Sequence, residues 1–145
     1  MPLFTKSDKI VLDTNIVVSA LIGKHGESAK LFKLVISEEV ENYTTAEIIK
    51  EVSEVLSREE ITKRTLKEER QFILEQYLIH SKLTEPKTKH IIIEHSSDNK
   101  FIDAAVETKA NFIISGDKHL LEKKEFKGIK IVNAKDYLGS DENGK

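Results

Sequence analysis

Cysteine and tryptophan are absent from this 145-residue chain, methionine occurs once and proline twice. Without cysteine there is no disulfide framework, no thiolate zinc site and no thiol nucleophile. Aromatic residues make up only 6%, too few to interleave with basic residues as a base-stacking platform. No apolar run approaches the ~20 residues of a membrane-spanning helix. The opening residues Met1 to Lys6 lack the apolar stretch and small-residue cleavage site of a secretory signal. A soluble, cytoplasmic protein is the expectation. An excess of one charge is missing too: Lys and Arg total 23, Asp and Glu 25, for a net of −2. That argues against a strongly basic nucleic-acid coat. It leaves open a local basic face, and it does not say where the acids gather.

What is present suits one compact domain, since domains run to ~100–150 residues and 39% of the chain is apolar. The domain is expected over residues 1–138, with 139–145 a polar tail too poor in apolar residues to order itself. Ile10-Val11-Leu12 is a short apolar run ending at Asp13, as suits a strand buried on both faces. Phe112 to Ile114 and Ile129 to Val132 read alike, Asn42 to Thr44 is a weaker strand candidate, and Ile91 to Ile93 is ambiguous. Between them lie helical patterns: one from Ser28 with Leu31, Phe32, Leu34, Val35 and Ile36; one opened by Thr45 with Ile48, Val52, Val55 and Leu56; a long one from Leu66 to Leu83; one from Phe101 to Lys109; and a short one from Lys118 to Lys124. Strands alternating with helices predict an α/β fold with a mostly parallel sheet.

Ligands of such sheets sit beyond the carboxyl ends of the strands. Asp13 stands at that end of the first strand, and Asp117 at that end of a later one, after Ser115 and Gly116. Each alone reads best as a helix cap; together they suggest a shared cleft. Asp98 precedes a helix and Asp103 lies five residues on. Glu51, among Glu47, Lys50 and Glu54, reads alone as a solvated charge.

These residues, in four ordered segments, carry a resemblance. Ile10 to Asn15, Thr45 to Val52 with Val55-Leu56, Asp98 to Ala105 and Ala110 to Leu121 are similar to the PIN-domain nucleases, in particular the small prokaryotic subgroup associated with toxin–antitoxin pairs. The likeness spans roughly residues 9 to 133. It implies a three-layer, Rossmann-like α/β/α fold and a metal-dependent endoribonuclease using Mg²⁺ or Mn²⁺. By the same resemblance the metal-holding acids are Asp13, Glu51, Asp98 and Asp117, supported by Asn15 and Ser115, with Asp103 either a further acid near the metal or only part of its helix. His119 stands where relatives often carry an acid. A homodimer and a small antitoxin partner are family expectations.

The chemistry agrees with the residue types. Phosphodiester hydrolysis needs activated water and relief of phosphoryl charge, both supplied by a hard divalent cation that prefers oxygen ligands. Clustered carboxylates are unfavourable without such an ion. Basic residues must offset the pocket for a polyanion; Lys100, Lys118, Lys123, Lys124 and Lys127 follow the acids, and Lys63, Arg64, Lys67 and Arg70 form a second group expected on one helix. Any one of these is more simply a solvated charge. His25, His80, His90, His95 and His119 have no metal-ligand spacing and read as structural or surface residues. A receiver domain needs an acidic pair at the first strand end, and a haloacid-dehalogenase-like phosphatase needs a second Asp where Asn15 stands, so both fall. A non-catalytic PIN-like module binding RNA or protein is the remaining alternative. Setting the four acids aside leaves +2 on the rest of the chain, a mildly basic frame around an acidic pocket.

Overall fold

The computed structural model describes residues 2–91 and 98–139. Its elements are β1 (Lys9–Leu12), α1 (Thr14–Ile22), α2 (Glu27–Ile36), β2 (Glu41–Thr44), α3 (Ala46–Leu56), α4 (Glu59–Thr62), α5 (Lys67–Ile79), β3 (Ser81–Leu83), α6 (Asn99–Thr108), β4 (Phe112–Ile114), α7 (Lys118–Lys123), β5 (Glu125–Phe126), β6 (Ile129–Val132) and α8 (Ala134–Leu138). The strands form one six-stranded sheet in the order β3-β2-β1-β4-β6-β5. Every pairing is parallel except β5 with β6. This is the expected α/β fold. No helix among the described residues is long and apolar enough to cross a membrane.

β1 is the central strand because Ile10, Val11 and Leu12 have no polar face to show: all are at most 1% exposed. Around it α1, α2, α3 and α5 pack on one another, while α6 lies against β1, β2 and β4. β1 pairs with β2 on one side and β4 on the other, so the chain reverses its direction of strand addition between β1 and β4. That is the point at which a doubly wound sheet opens a crevice.

Two asparagines lock the central strand. Asn42, fully buried on β2, accepts from the Leu12 amide through Oδ1 at 3.0 Å and donates from Nδ2 to Ser81 Oγ at 2.8 Å. It thus stitches β1, β2 and β3 where β1 gives way to Asp13. Asn111 accepts from the Lys9 amide at 2.8 Å at the other end of β1. Beside Asn42, Thr44 Oγ1 and the buried Tyr77 hydroxyl are 2.7 Å apart, which ties α5 to β2.

The structure corrects several boundaries. The expected helix from Leu66 to Leu83 stops at Ile79, and Ser81 to Leu83 form edge strand β3; the partners Asn42 and Thr44, distant in sequence, override the local helical pattern. Lys63 and Arg64 lie in the turn between α4 and α5 rather than on one helix with Lys67 and Arg70. The Arg70 guanidinium is spent there, donating to Thr62 O and to Thr65 O and Oγ1. The second helix starts at Glu27 with Gly26 as its cap, not Ser28. β5 has no counterpart among the expected strands; it is two residues long and made by a hairpin in which Lys127 and Gly128 take positive φ. Ile92, Ile93, His95 and residues 140–145 of the tail lie outside the described residues.

Because Asn42 satisfies the Leu12 amide in a buried hydrogen bond, Asn42→Ala is expected to cost about 1–3 kcal/mol of unfolding free energy, read from urea denaturation.

Candidate active site

The site begins with a register. Leu12 on β1 pairs with Ile114 on β4, and the Asp13 amide donates to Ile114 O at 3.0 Å. The next residues, Asp13 and Ser115, are therefore neighbours at the carboxyl end of the sheet, 102 positions apart in the chain. The Ser115 hydroxyl donates to Asp13 Oδ2 and accepts from the Asp117 amide at 2.8 Å. One fully buried hydroxyl thus fixes both acids.

Both acids also cap helices, so the simple reading and the functional one coincide. Asp13 Oδ1 accepts from the Asn15 amide at the start of α1. Asp117 Oδ1 accepts from the His119 and Leu120 amides at 2.7 and 3.3 Å at the start of α7. Asp98 differs. It precedes α6, yet its side chain makes no cap bond; the neighbouring Asp117 carboxyl helps to raise its proton affinity.

Glu51 joins from α3. Its position follows from helical period, three residues after buried Ile48 and four before buried Val55, which puts it at the edge of the apolar stripe. Oε1 accepts from Thr14 Oγ1 at 2.6 Å, and Oε2 lies 3.2 Å from Lys100 Nζ. The structure therefore brings Asp13, Glu51, Asp98, Asp117 and Ser115 together.

Other expected site residues fall differently. Asp103 is buried, but its carboxylate accepts from the backbone amide and Nδ1 of His90 at 2.6 and 2.8 Å, tying the segment after β3 to α6. Asn15 contributes its backbone amide while its side chain is exposed. Lys118, Lys123, Lys124 and Lys127 are exposed, but Lys127 lines a cavity at the amino ends of β4 and β6, at the far end of the sheet from Asp117. Lys100 is not a surface lysine at all: it is 7% exposed and paired with Glu51. His80 faces Glu38 and His119 is an exposed neighbour of Glu122. Sequence reasoning missed Thr14 and the inward turn of Lys100. The unbroken burial from Lys100 to Ala105 shows that α6 is enclosed on all sides at its start, which the charged residue type conceals.

A cavity of about 330 Å³ opens next to Lys100, lined also by Thr45, Glu47, Thr84, Lys89 and Asp103. A cavity of about 760 Å³ lies at the opposite, amino ends of β4 and β6.

Electrostatics mark the acid cluster. Burial pushes the Asp13 carboxyl up to about 6; the hydrogen bonds from Ser115 and Asn15 pull against it, and the charges of Asp98 and Asp117 add to the rise. Burial also raises Asp98, reinforced by Asp117 and Glu51 and opposed by Lys100. Among the described residues no group of three His, Asp or Glu side chains is arranged so that it could hold a metal ion. The donor types nonetheless suit a hard divalent cation rather than a soft one. They are all oxygen, and they pair two carboxyls that need a proton or a cation between them.

An acid raised from 3.8 to about 6 binds its proton more tightly folded than unfolded. Its stabilising effect is full below the unfolded value and is lost as pH rises through the folded one. In chelator, Asp13→Asn is therefore expected to be more stable than wild type at pH 7.5, by up to about 3 kcal/mol, with the gap closing towards pH 4. Denaturation curves at the two pH values check it.

The uncharacterized protein MJ1680 of Methanocaldococcus jannaschii is 37% identical over 127 residues, covering 86% of this chain and 81% of that protein. A crystal structure of VapBC2 from Rickettsia felis bound to a DNA fragment from their promoter superposes with a TM-score of 0.59 at 16% identity, covering 86% of this chain and 98% of the other; at that identity the likeness is one of fold. The family model described as PIN domain matches residues 9–119, a span that begins with β1 and takes in all four clustered acids, and the chain therefore belongs to the PIN-domain family.

Proposed function

We propose that the protein is a metal-dependent endoribonuclease that hydrolyses RNA phosphodiester bonds with water, and that Asp13, Glu51, Asp98 and Asp117 are its working acids. The observation that carries the reading is the meeting of Asp13, Asp98 and Asp117 from separate chain segments: the charges of Asp98 and Asp117 add to the raised proton affinity of Asp13, and Asp117 adds to that of Asp98. Such mutual penalty is retained at functional sites far more readily than in structural ones.

A Mg²⁺ or Mn²⁺ ion held by these carboxylates would polarise the phosphoryl oxygens and lower the pKa of bound water. The chain does the rest. Ser115 fixes Asp13 and the Asp117 backbone, and Thr14 fixes Glu51. The water oxygen bonds to phosphorus as the ester P–O bond breaks. Asp98, less buried than Asp13 and raised by Asp117, accepts the proton from the attacking water, and the departing oxygen takes one from solvent. Lys118, Lys123 and Lys124 are exposed and would meet the RNA backbone.

Association with a small antitoxin protein is supported by the shared fold with the VapBC2 complex. Self-association as a homodimer is supported by apolar side chains that α5 leaves exposed, Phe72 at 59% and Ile79 at 68%. The proposed site of action is the cytoplasm.

With Mn²⁺ and a mixed RNA panel, Asp13→Asn and Asp117→Asn are each expected to cleave at least ~100-fold more slowly than wild type. Wild-type rates in both variants would favour a non-catalytic module. Wild-type affinity for RNA is expected to fall with salt. Replacing Lys118 and Lys123 together by Gln is expected to flatten that log–log dependence, by up to ~0.7 for each phosphate no longer neutralised.

A further inference from the structure

The acids at the carboxyl ends of the strands leave the other end of the sheet without a role. The cavity of about 760 Å³ opens there, within the ~300–1,000 Å³ of small-molecule sites. Its charge is one-sided. Lys109, Lys127 and Lys130 line it against a single carboxylate, Asp8, and that carboxylate already accepts from the Tyr137 hydroxyl and the Thr5 amide. None of the three lysines has an ion-pair partner among the described residues; Lys127 Nζ lies 5.5 Å from the centroid of the Phe126 ring.

Two of these lysines sit where the backbone favours another residue. Lys109 (φ 57°) ends α6 in the left-handed conformation, and Lys127 (φ 50°) precedes Gly128 (φ 83°) in the β5–β6 hairpin. Glycine is the usual residue at the first position, and Asn-Gly or Gly-Gly the usual pair at the second. A helix carboxyl end carries roughly half a negative charge, which Lys109 by itself more than offsets. Lys127 on the hairpin and Lys130 on β6 remain in surplus. Residues that break a local rule in this way mark a constraint other than folding.

The rest of the lining suits the uncharged part of a ligand. Leu3, Val106, Phe112 and Ile129 form an apolar wall. Asn111, whose Oδ1 accepts from the Lys9 amide, keeps its Nδ2 as a donor. A simple inorganic anion would leave that wall uncovered. Three ammonium groups on one cavity match charge gathered at one end of a ligand, as in a diphosphate, rather than charges spaced along a peptide; lysine binds phosphate as a point charge.

We propose that this cavity is a binding site for a nucleoside diphosphate, with Lys109, Lys127 and Lys130 on its phosphates and its base against the apolar wall. Neither the acid cluster nor a metal ion takes part.

The test is calorimetric titration of the full chain, in EDTA to prevent metal-bridged binding at the acid cluster, with ADP, GDP, CDP and UDP. Pyrophosphate and the matching nucleoside are separate arms. At least one diphosphate is expected to bind at one per chain, with its nucleoside and pyrophosphate each at least ~10-fold weaker. No binding by any of the four at millimolar concentration would overturn the proposal, as would pyrophosphate binding as tightly as the best diphosphate. A 5′-phosphorylated oligonucleotide that outcompetes all four would make the cavity an RNA contact and overturn it too. Lys109→Gly combined with Lys127→Asn supplies the residues that the two backbone positions favour. This double variant is expected to raise the melting temperature while weakening the diphosphate at least ~10-fold. Wild-type affinity in it, or a lowered melting temperature showing that the lysines serve the fold, would overturn the proposal. If the double variant does not fold, Lys130→Gln on the regular strand decides: the same weakening supports the site and unchanged affinity rejects it.

Discussion

The Ser115 hydroxyl, donating to Asp13 and accepting from the Asp117 amide, is the contact on which the site depends. It exists only because β1 and β4 run parallel in a register that sets Leu12 beside Ile114. Both strands end there, and both lead into helices. The sheet therefore delivers two carboxylates to one crevice, with the amides of two helix starts already holding one oxygen of each. A hydroxyl at position 115 can do this because it is both donor and acceptor. Its burial removes competing water, so the bond stays formed.

Around that contact the protein gathers charges that work against its own stability. Asp13 is desolvated, Asp98 faces Asp117, and Glu51 adds a fourth carboxylate. The compensation is built from short polar contacts: Ser115 and Asn15 on Asp13, Thr14 and Lys100 on Glu51. Elsewhere the fold is conventional. A core of aliphatic side chains lies on both faces of the central strands, Asn42 and Asn111 secure β1, and no buried side-chain polar atom among the described residues lacks a partner. Electrostatic penalty is thus concentrated in the crevice, as expected where function rather than stability selects the residues.

The opposite pole of the molecule makes the contrast plain. Asp8 is as buried as many of the core residues, yet it accepts from the Tyr137 hydroxyl at 2.7 Å and from the Thr5 amide at 2.8 Å. Its partners are neutral donors, and it serves to close the chain termini over the sheet. Burial of an acid alone is therefore no mark of a site in this protein. The mark is burial together with other acids drawn from distant segments.

The sequence by itself determined the strands with no polar face, the capping acids at their ends and the order of segments that places the chain among PIN domains. These features are local: a run such as Ile10 to Leu12 suits an interior strand, and Asp before a helical stretch reads as a cap or a site. Glu51 by itself reads as a solvated charge, and only the likeness to the family marked it. Tertiary structure decided the rest. Ser81 to Leu83 became a strand because Asn42 and Thr44, some forty residues earlier, supplied partners. Asp103 was drawn to His90 and away from the acids, and Lys100 turned inward to Glu51. For a charged side chain on a helix the sequence specifies the charge, but its surroundings come from whichever segment packs across it, and that is settled only when the whole sheet is assembled.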